Sequence, residues 1–167
     1  MTTREALQEL LQEFGKHMDV AQLKLDEDDC CPLTLAGDLR IFLQFREASG
    51  DLLLAGIVGR LPAEEDEQAD AMRFLLISNL YGVDTDGGTL SLEPENNVVM
   101  LHKVWDPQTA DVAGLARTLE AFADLLECWK HRYGEMLEED DDGASPFGQK
   151  TGEDETTSAQ VDPTLLA

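Results

Sequence analysis

The side chains in this 167-residue chain that could do chemistry are three cysteines, three histidines and 35 acids. Cys30 and Cys31 are neighbours and Cys128 is far away, so the thiols lack the spacing of a zinc site, and an odd number argues against a disulfide framework. His17, His102 and His131 form no His-x-x-x-His or His-Glu-x-x-His pair. Cys128 and His131 fall one helical turn apart, yet Leu126 and Trp129 flank the thiol, which reads as a core cysteine. Asp84-Thr85-Asp86-Gly87-Gly88 with Glu95 at the twelfth position imitates a calcium loop. Thr89 stands where that loop needs glycine, and Pro94 spoils the exiting helix. No Gly-rich phosphate loop or Gly-x-Ser-x-Gly elbow is present. Acid runs at 26–29, 64–67 and 138–142 read as solvated surface. A carboxylate dyad of a small hydrolase is disfavoured, and no catalytic residue, metal ligand or cofactor is assigned.

Charge narrows the partners. Twelve Lys and Arg oppose the 35 acids, a net charge of −23. Such a surface repels phosphate backbones and anionic headgroups and attracts basic segments, so nucleic acid is a poor partner. No stretch approaches the ~20 apolar residues that span a bilayer, and no secretory signal is legible at Met1–Glu5. A reducing cytoplasm fits the free thiols.

The elements that must position any site follow from periodicity. Thr2 and Glu5 make a capping box. Leu7, Leu10, Leu11, Phe14 and Met18 form the stripe of a first helix ending near Asp19, which could be core or could line a groove beside a sheet. Leu23 and Leu25 alternate with Gln22 and Lys24 ahead of an acidic turn. Cys31, Leu33 and Leu35 alternate next, followed by a turn at Gly37-Asp38. Then Leu39, Ile41, Leu43 and Phe45 share one strand face, with Arg40, Phe42, Gln44 and Arg46 on the other. Asp51–Val58 returns antiparallel. Pro62 suits the first turn of a second helix, with Ala69, Met72, Leu76 and Leu80 in a stripe flanked by Phe74, Leu75 and Ile77, and Gly82 as its stop. That helix is apolar over more than one face, as a helix between its own sheet and a second subunit would be. A hairpin, Thr89–Glu93 and Val98–Trp105, turns at 94–97. A last helix, about Thr109 to Tyr133, is closed by Gly134. The expected fold is α+β, a single α-β-β-β-α-β-β-α domain with a twisted antiparallel sheet packed by helices, forming a homodimer. The domain covers 1–137. Residues 138–167 hold nine acids and one lysine and read as a disordered acidic tail.

Residues 4–133 resemble the class I type III secretion chaperones, the CesT/SycE-like family. The resemblance rests on three stretches in order: Leu7–Gly15 as the opening helix, Leu23–Cys30 as a short strand and acidic turn, and Ser78–Gly82 followed by Gly87–Leu92. It implies a homodimer built around Met72, Leu76 and Leu80. It also implies that the N-terminal region of a secreted effector lies unfolded over the surface, touching Leu7, Leu10, Leu11, Phe14, Met18 and Phe42. Such family members work without ATP in the bacterial cytoplasm and deliver cargo to the export ATPase. A regulatory adaptor that sequesters a secretion or transcription regulator would use the same surfaces.

Overall fold

The computed structural model describes residues 3–18, 23–35, 39–108 and 111–141. Helix α1 (Arg4–His17) is followed by strands β1 (Cys30–Leu35), β2 (Leu39–Arg46) and β3 (Asp51–Arg60), helix α2 (Glu65–Ser78), strands β4 (Thr89–Glu93) and β5 (Val98–Trp105), and helix α3 (Val112–Asp141). The strands form one antiparallel sheet in the order β1-β2-β3-β5-β4. The architecture is α+β in the expected element order.

Alternation sorts the sheet into two faces. Cys31, Leu33, Leu39, Ile41, Leu43, Phe45, Leu52, Leu54, Val99 and Leu101 are buried under the helices. Helix α3 is the main cover. Its residues Leu115, Leu119, Phe122, Leu126, Trp129, Tyr133 and Met136 recur every three or four positions, and all are buried. The helix packs across β3 and against α1 and α2. Gly56 lets it settle close, because a Cβ there would lie 2.2 Å from Leu126 Cδ2. Further along, the Tyr133 hydroxyl donates to the Arg60 carbonyl at 3.1 Å, and burial pushes the phenol pKa up to about 12.

Several boundaries differ from the sequence reading, each for a local reason. The cap of α1 is Thr3, not Thr2: the Thr3 hydroxyl accepts from Ala6 N. Thr2, the expected helix end at Asp19, Gln22 and the turn at Gly37-Asp38 lie outside the described residues. Leu23 and Leu25 are buried as their alternation implied, yet they join no strand. Their backbone is bonded by a side chain instead: Gln8 Nε2 donates to the Leu23 carbonyl at 3.1 Å and Leu25 N donates to Gln8 Oε1 at 2.9 Å. Pro62 precedes α2 rather than opening it, its carbonyl accepting from the Gln68 side chain at 2.9 Å while Glu64 is still extended. Helix α2 stops at Ser78, before Gly82: Asn79 still donates to the Leu75 carbonyl at 3.2 Å, and the chain leaves the helix through a 3-10 turn, Leu80–Gly82, in which Tyr81 is left-handed.

Helix α3 does not close at Gly134 but continues to Asp141. A mid-helix glycine costs only about 1 kcal/mol, and Tyr133 and Met136, buried on either side of it, hold the helix through that point. The boundary expected after residue 137 therefore falls within a helix. Thr109 and residues beyond 141 lie outside the described residues.

Candidate functional site

The groups that could do chemistry are quiet. Burial, then the charge of Asp26, raises the Cys30 thiol, and burial raises Cys31. Both thiols are thereby held away from the reactive thiolate. Cys128 is exposed, not core, since it lies off the 119-122-126-129-133 stripe. The segment that imitated a calcium loop is a turn in which buried Thr85 donates to the Gly88 carbonyl at 2.7 Å, while Asp86 pairs with Lys103 at 2.7 Å. Among the described residues three carboxyls are clearly shifted, and all go down: Asp51 beside Arg46, Asp86 beside Lys103, and Glu93, which accepts backbone and Asn96 hydrogen bonds. An acid catalyst needs the opposite shift.

Apolar surface is where the molecule is unusual. The outer sheet face aligns Phe42, Ala55, His102 and Thr89 in one cross-strand row, with Gln44, Leu53 and Val104 in the next and Ile57, Met100 and Ser91 on the other side. Ile57 is 42% and Val104 49% exposed, whereas Phe42 is half-buried. His102 sits in the middle of this field. Its Nδ1 lies 3.2 Å from Ser91 Oγ, and burial, then the Arg46 charge, lowers its pKa.

A second apolar area lies at the end of α2. Ala71, Leu75 and Ser78 point inward, leaving Met72, Leu76 and Ile77 exposed. The chain then makes one 3-10 turn in which Tyr81, at φ 57°, occupies the left-handed region, a conformation disfavoured for a bulky residue. Asn79 fixes this turn: its Nδ2 donates to the Leu90 carbonyl at 2.9 Å, and Leu90 N donates to its Oδ1 at 2.8 Å. Leu80, Tyr81 and Val83 are thereby held in solvent, Tyr81 at 90% exposure.

The stripe of α1 divides. Leu7, Leu11 and Phe14 belong to the core, so the monomer offers no surface of theirs to a partner. Leu10 and Met18 do reach the surface. They line a groove of about 970 Å³ between α1 and α3, with Val112, Ala113 and Ala116 opposite and Glu9, Glu13, His17 and Arg117 at its rim. A neighbouring cleft of about 480 Å³ shares Asp111 and Arg117 and is floored by Leu54, Trp105 and Phe122. Met72 and Leu76 on α2, and Leu80 on the 3-10 turn after it, are all exposed. Sequence reasoning missed Ile57, Val104, Tyr81 and Val83. The structure places the first two on outward positions of β3 and β5, where an apolar residue is common enough to pass unnoticed.

Open apolar faces of this extent are what a protein-docking module presents. Comparison with known proteins defines the class. The model of the Tir chaperone protein (CesT) family matches residues 9–130. A protein of Chlamydia pneumoniae, CPj0713/CpB0740, is 30% identical over 124 residues, covering 74% of this chain and 92% of that one. Among solved structures, a chain of the ExsC-ExsE complex superposes with a TM-score of 0.66 at 20% identity, over 78% of this chain and 96% of the other. A chain of the HopA1-SchA chaperone-effector complex gives a TM-score of 0.62 at 18% identity, over 75% and 93%. These structural likenesses establish the fold. The chain belongs to the Tir chaperone protein (CesT) family, the class I type III secretion chaperones that its sequence resembles. That is a chaperone family rather than an enzyme family. Among the described residues no helix is long and apolar enough to cross a membrane.

Proposed function

We propose that this chain is a homodimeric type III secretion chaperone that holds the N-terminal region of a secreted effector unfolded against its apolar surfaces. One observation carries the reading: the monomer completes its core and still leaves Ile57, Val104, Met72, Leu76, Ile77 and Leu80 substantially exposed. The description of a protein of the same fold as part of a chaperone-effector complex supports it.

In this reading the two apolar areas have different tasks. Met72, Leu76 and Leu80, with Ile77 and Tyr81, seal the twin subunit. Leu10 and Met18 in the α1–α3 groove and Phe42 on the outer sheet face take effector side chains, while Leu7, Leu11 and Phe14 support that groove from behind. Each large apolar side chain so buried contributes roughly 1.5–3 kcal/mol. Ordering an unfolded segment costs a comparable total, so a handful of contacts yields binding that can be reversed. No nucleotide is required. The chaperone works in the bacterial cytoplasm and passes its cargo to the export ATPase.

Affinity purification of the full chain from its native cell under secretion-inducing conditions, followed by mass spectrometry, tests this. A secreted protein should copurify, and the Leu10→Asp/Met18→Asp and Phe42→Asp variants should lose it while light scattering still reports a dimer. Recovery of no secreted protein, or undiminished capture by all variants, would overturn the reading.

A further inference from the structure

Cations are scarce in this chain, and the fold commits four of them to carboxylates: Arg4 to Asp29, Arg46 to Asp51, Lys103 to Asp86 and Arg132 to Asp84. Three others meet elsewhere. Arg40 at the start of β2, Arg60 at the end of β3 and Lys130 on α3 line one notch of about 380 Å³ over Ile57 and Gly59. Arg60 Nη1 donates to the Asn96 carbonyl at 3.1 Å, and its charge helps lower the Glu93 carboxyl. The Arg40 and Lys130 side chains have no hydrogen bond or ion pair with any described residue. Three like charges around a partly apolar floor form a receptor for an anionic segment with some hydrophobic character.

We propose that the notch takes the chain's own acidic C-terminal segment, residues 142–167, with Glu153-Asp154-Glu155 facing the three cations. The first ground is charge. Residues 142–167 hold five acids against one lysine, and the notch gathers Arg40, Arg60 and Lys130 on a chain of net charge −23.

The second ground is the tether. Lys130 lies on the helix that leads into the segment, and α3 leaves the sheet at the notch's own end, where the Tyr133 hydroxyl reaches Arg60. From Tyr133 to Asp141 the helix advances about 12 Å. The twelve residues from 142 to 153 extend to about 40 Å, more than enough to return. A tether of that length gives an effective concentration on the order of millimolar, so exposed ion pairs that would be weak between separate molecules suffice within one.

Carbodiimide coupling of the full-length chain, which joins amine to carboxylate without a spacer, tests it. A mixture of ¹⁴N and ¹⁵N chains distinguishes links within a chain from links between chains. Lys130 should couple within the chain to Glu153, Asp154 or Glu155. The yield should fall about tenfold in Arg40→Gln/Arg60→Gln, which keeps the amine and removes its neighbours. Salt should abolish the link in the unaltered chain at about 0.5 M, where screening shortens to a few ångströms. The salt arm stands whether or not the variant folds. Lys130 coupling only to other acids or only between chains, or coupling indifferent to salt, would overturn the proposal.

Discussion

Helices α1 and α2 are both 14 residues long, yet they dispose of their apolar residues in opposite ways. Helix α1 commits Leu7, Leu11 and Phe14 to the core and turns Glu5, Glu9, Gln12 and Glu13 outward. Helix α2 needs only Ala71 and Leu75, with half-buried Phe74, to hold its place, and leaves Met72, Leu76 and Ile77 in water. Its anchor is an aromatic junction: the Phe74 ring meets Trp129 at 6.1 Å and 63°, and the Arg132 guanidinium lies 4.4 Å from the Trp129 ring centre. One helix is stabilised by burying its stripe. The other is pinned at one side, so its opposite side is free for a second molecule.

The largest effect should come from cutting into the first pattern. Leu11→Ala should cost about 2–5 kcal/mol in urea unfolding, and a smaller loss would mean that α1 is less integral than its burial implies. Gly56→Val tests the close seat of α3 on β3. With a Cβ placed 2.2 Å from Leu126 Cδ2, overpacking should cost about 1–3 kcal/mol, with Leu126→Ala in the same chain restoring part of it. Leu76→Ser makes the contrast sharpest: far-UV circular dichroism should be unchanged, as for most surface substitutions, while the mass in light scattering halves. A stable dimer after that change would break the comparison.

The smallest effect is a pH dependence. The folded pKa of His102 lies below its ordinary value of about 6.5, so the unfolded chain binds more protons and folding is opposed as the group titrates. Its contribution is complete above pH ~6.5 and is lost as pH falls through that value toward the lowered one. His102→Gln should flatten the urea midpoint over this window. Asp51, Asp86 and Glu93 act lower down: their stabilisation is present above the ordinary carboxylate range and lost as pH falls through their lowered values. Asp86 is exposed and Asp51 and Glu93 are partly so, so salt should weaken it, most at Asp86.

How legible all this was depends on what each element answers to. Strands β1 and β2 and the stripe of α3 could be read because burial on one face writes a period into the residues, 2 for the strands and 3.6 for the helix. The Leu23–Leu25 segment carries the same period of two, but Gln8 from a distant helix satisfies its backbone, which no local pattern records. Cys128 was misread for want of strict phase: its neighbours in sequence are core, but it lies some 100° from Trp129 around the helix. For the site, α2's excess of apolar residues was visible, whereas the fate of Leu7, Leu11 and Phe14 was not. An amphipathic stripe looks alike whether it faces its own sheet or a stranger, and only the assembled fold decides.

The Asn79 amide reaches further than the turn it closes. By gripping Leu90 from outside, it stands where a sixth strand would begin, and the sheet's rim on that side is latched to the tip of α2. At the other rim Pro32 removes a donor from β1. A sheet checked at both borders is poorly disposed to zip onto its neighbours in a crowded compartment, so visitors are steered toward its broad faces. A strand that did force its way in beside β4 would first have to unfasten Asn79, and the tip carrying Leu80 and Tyr81 would move with it.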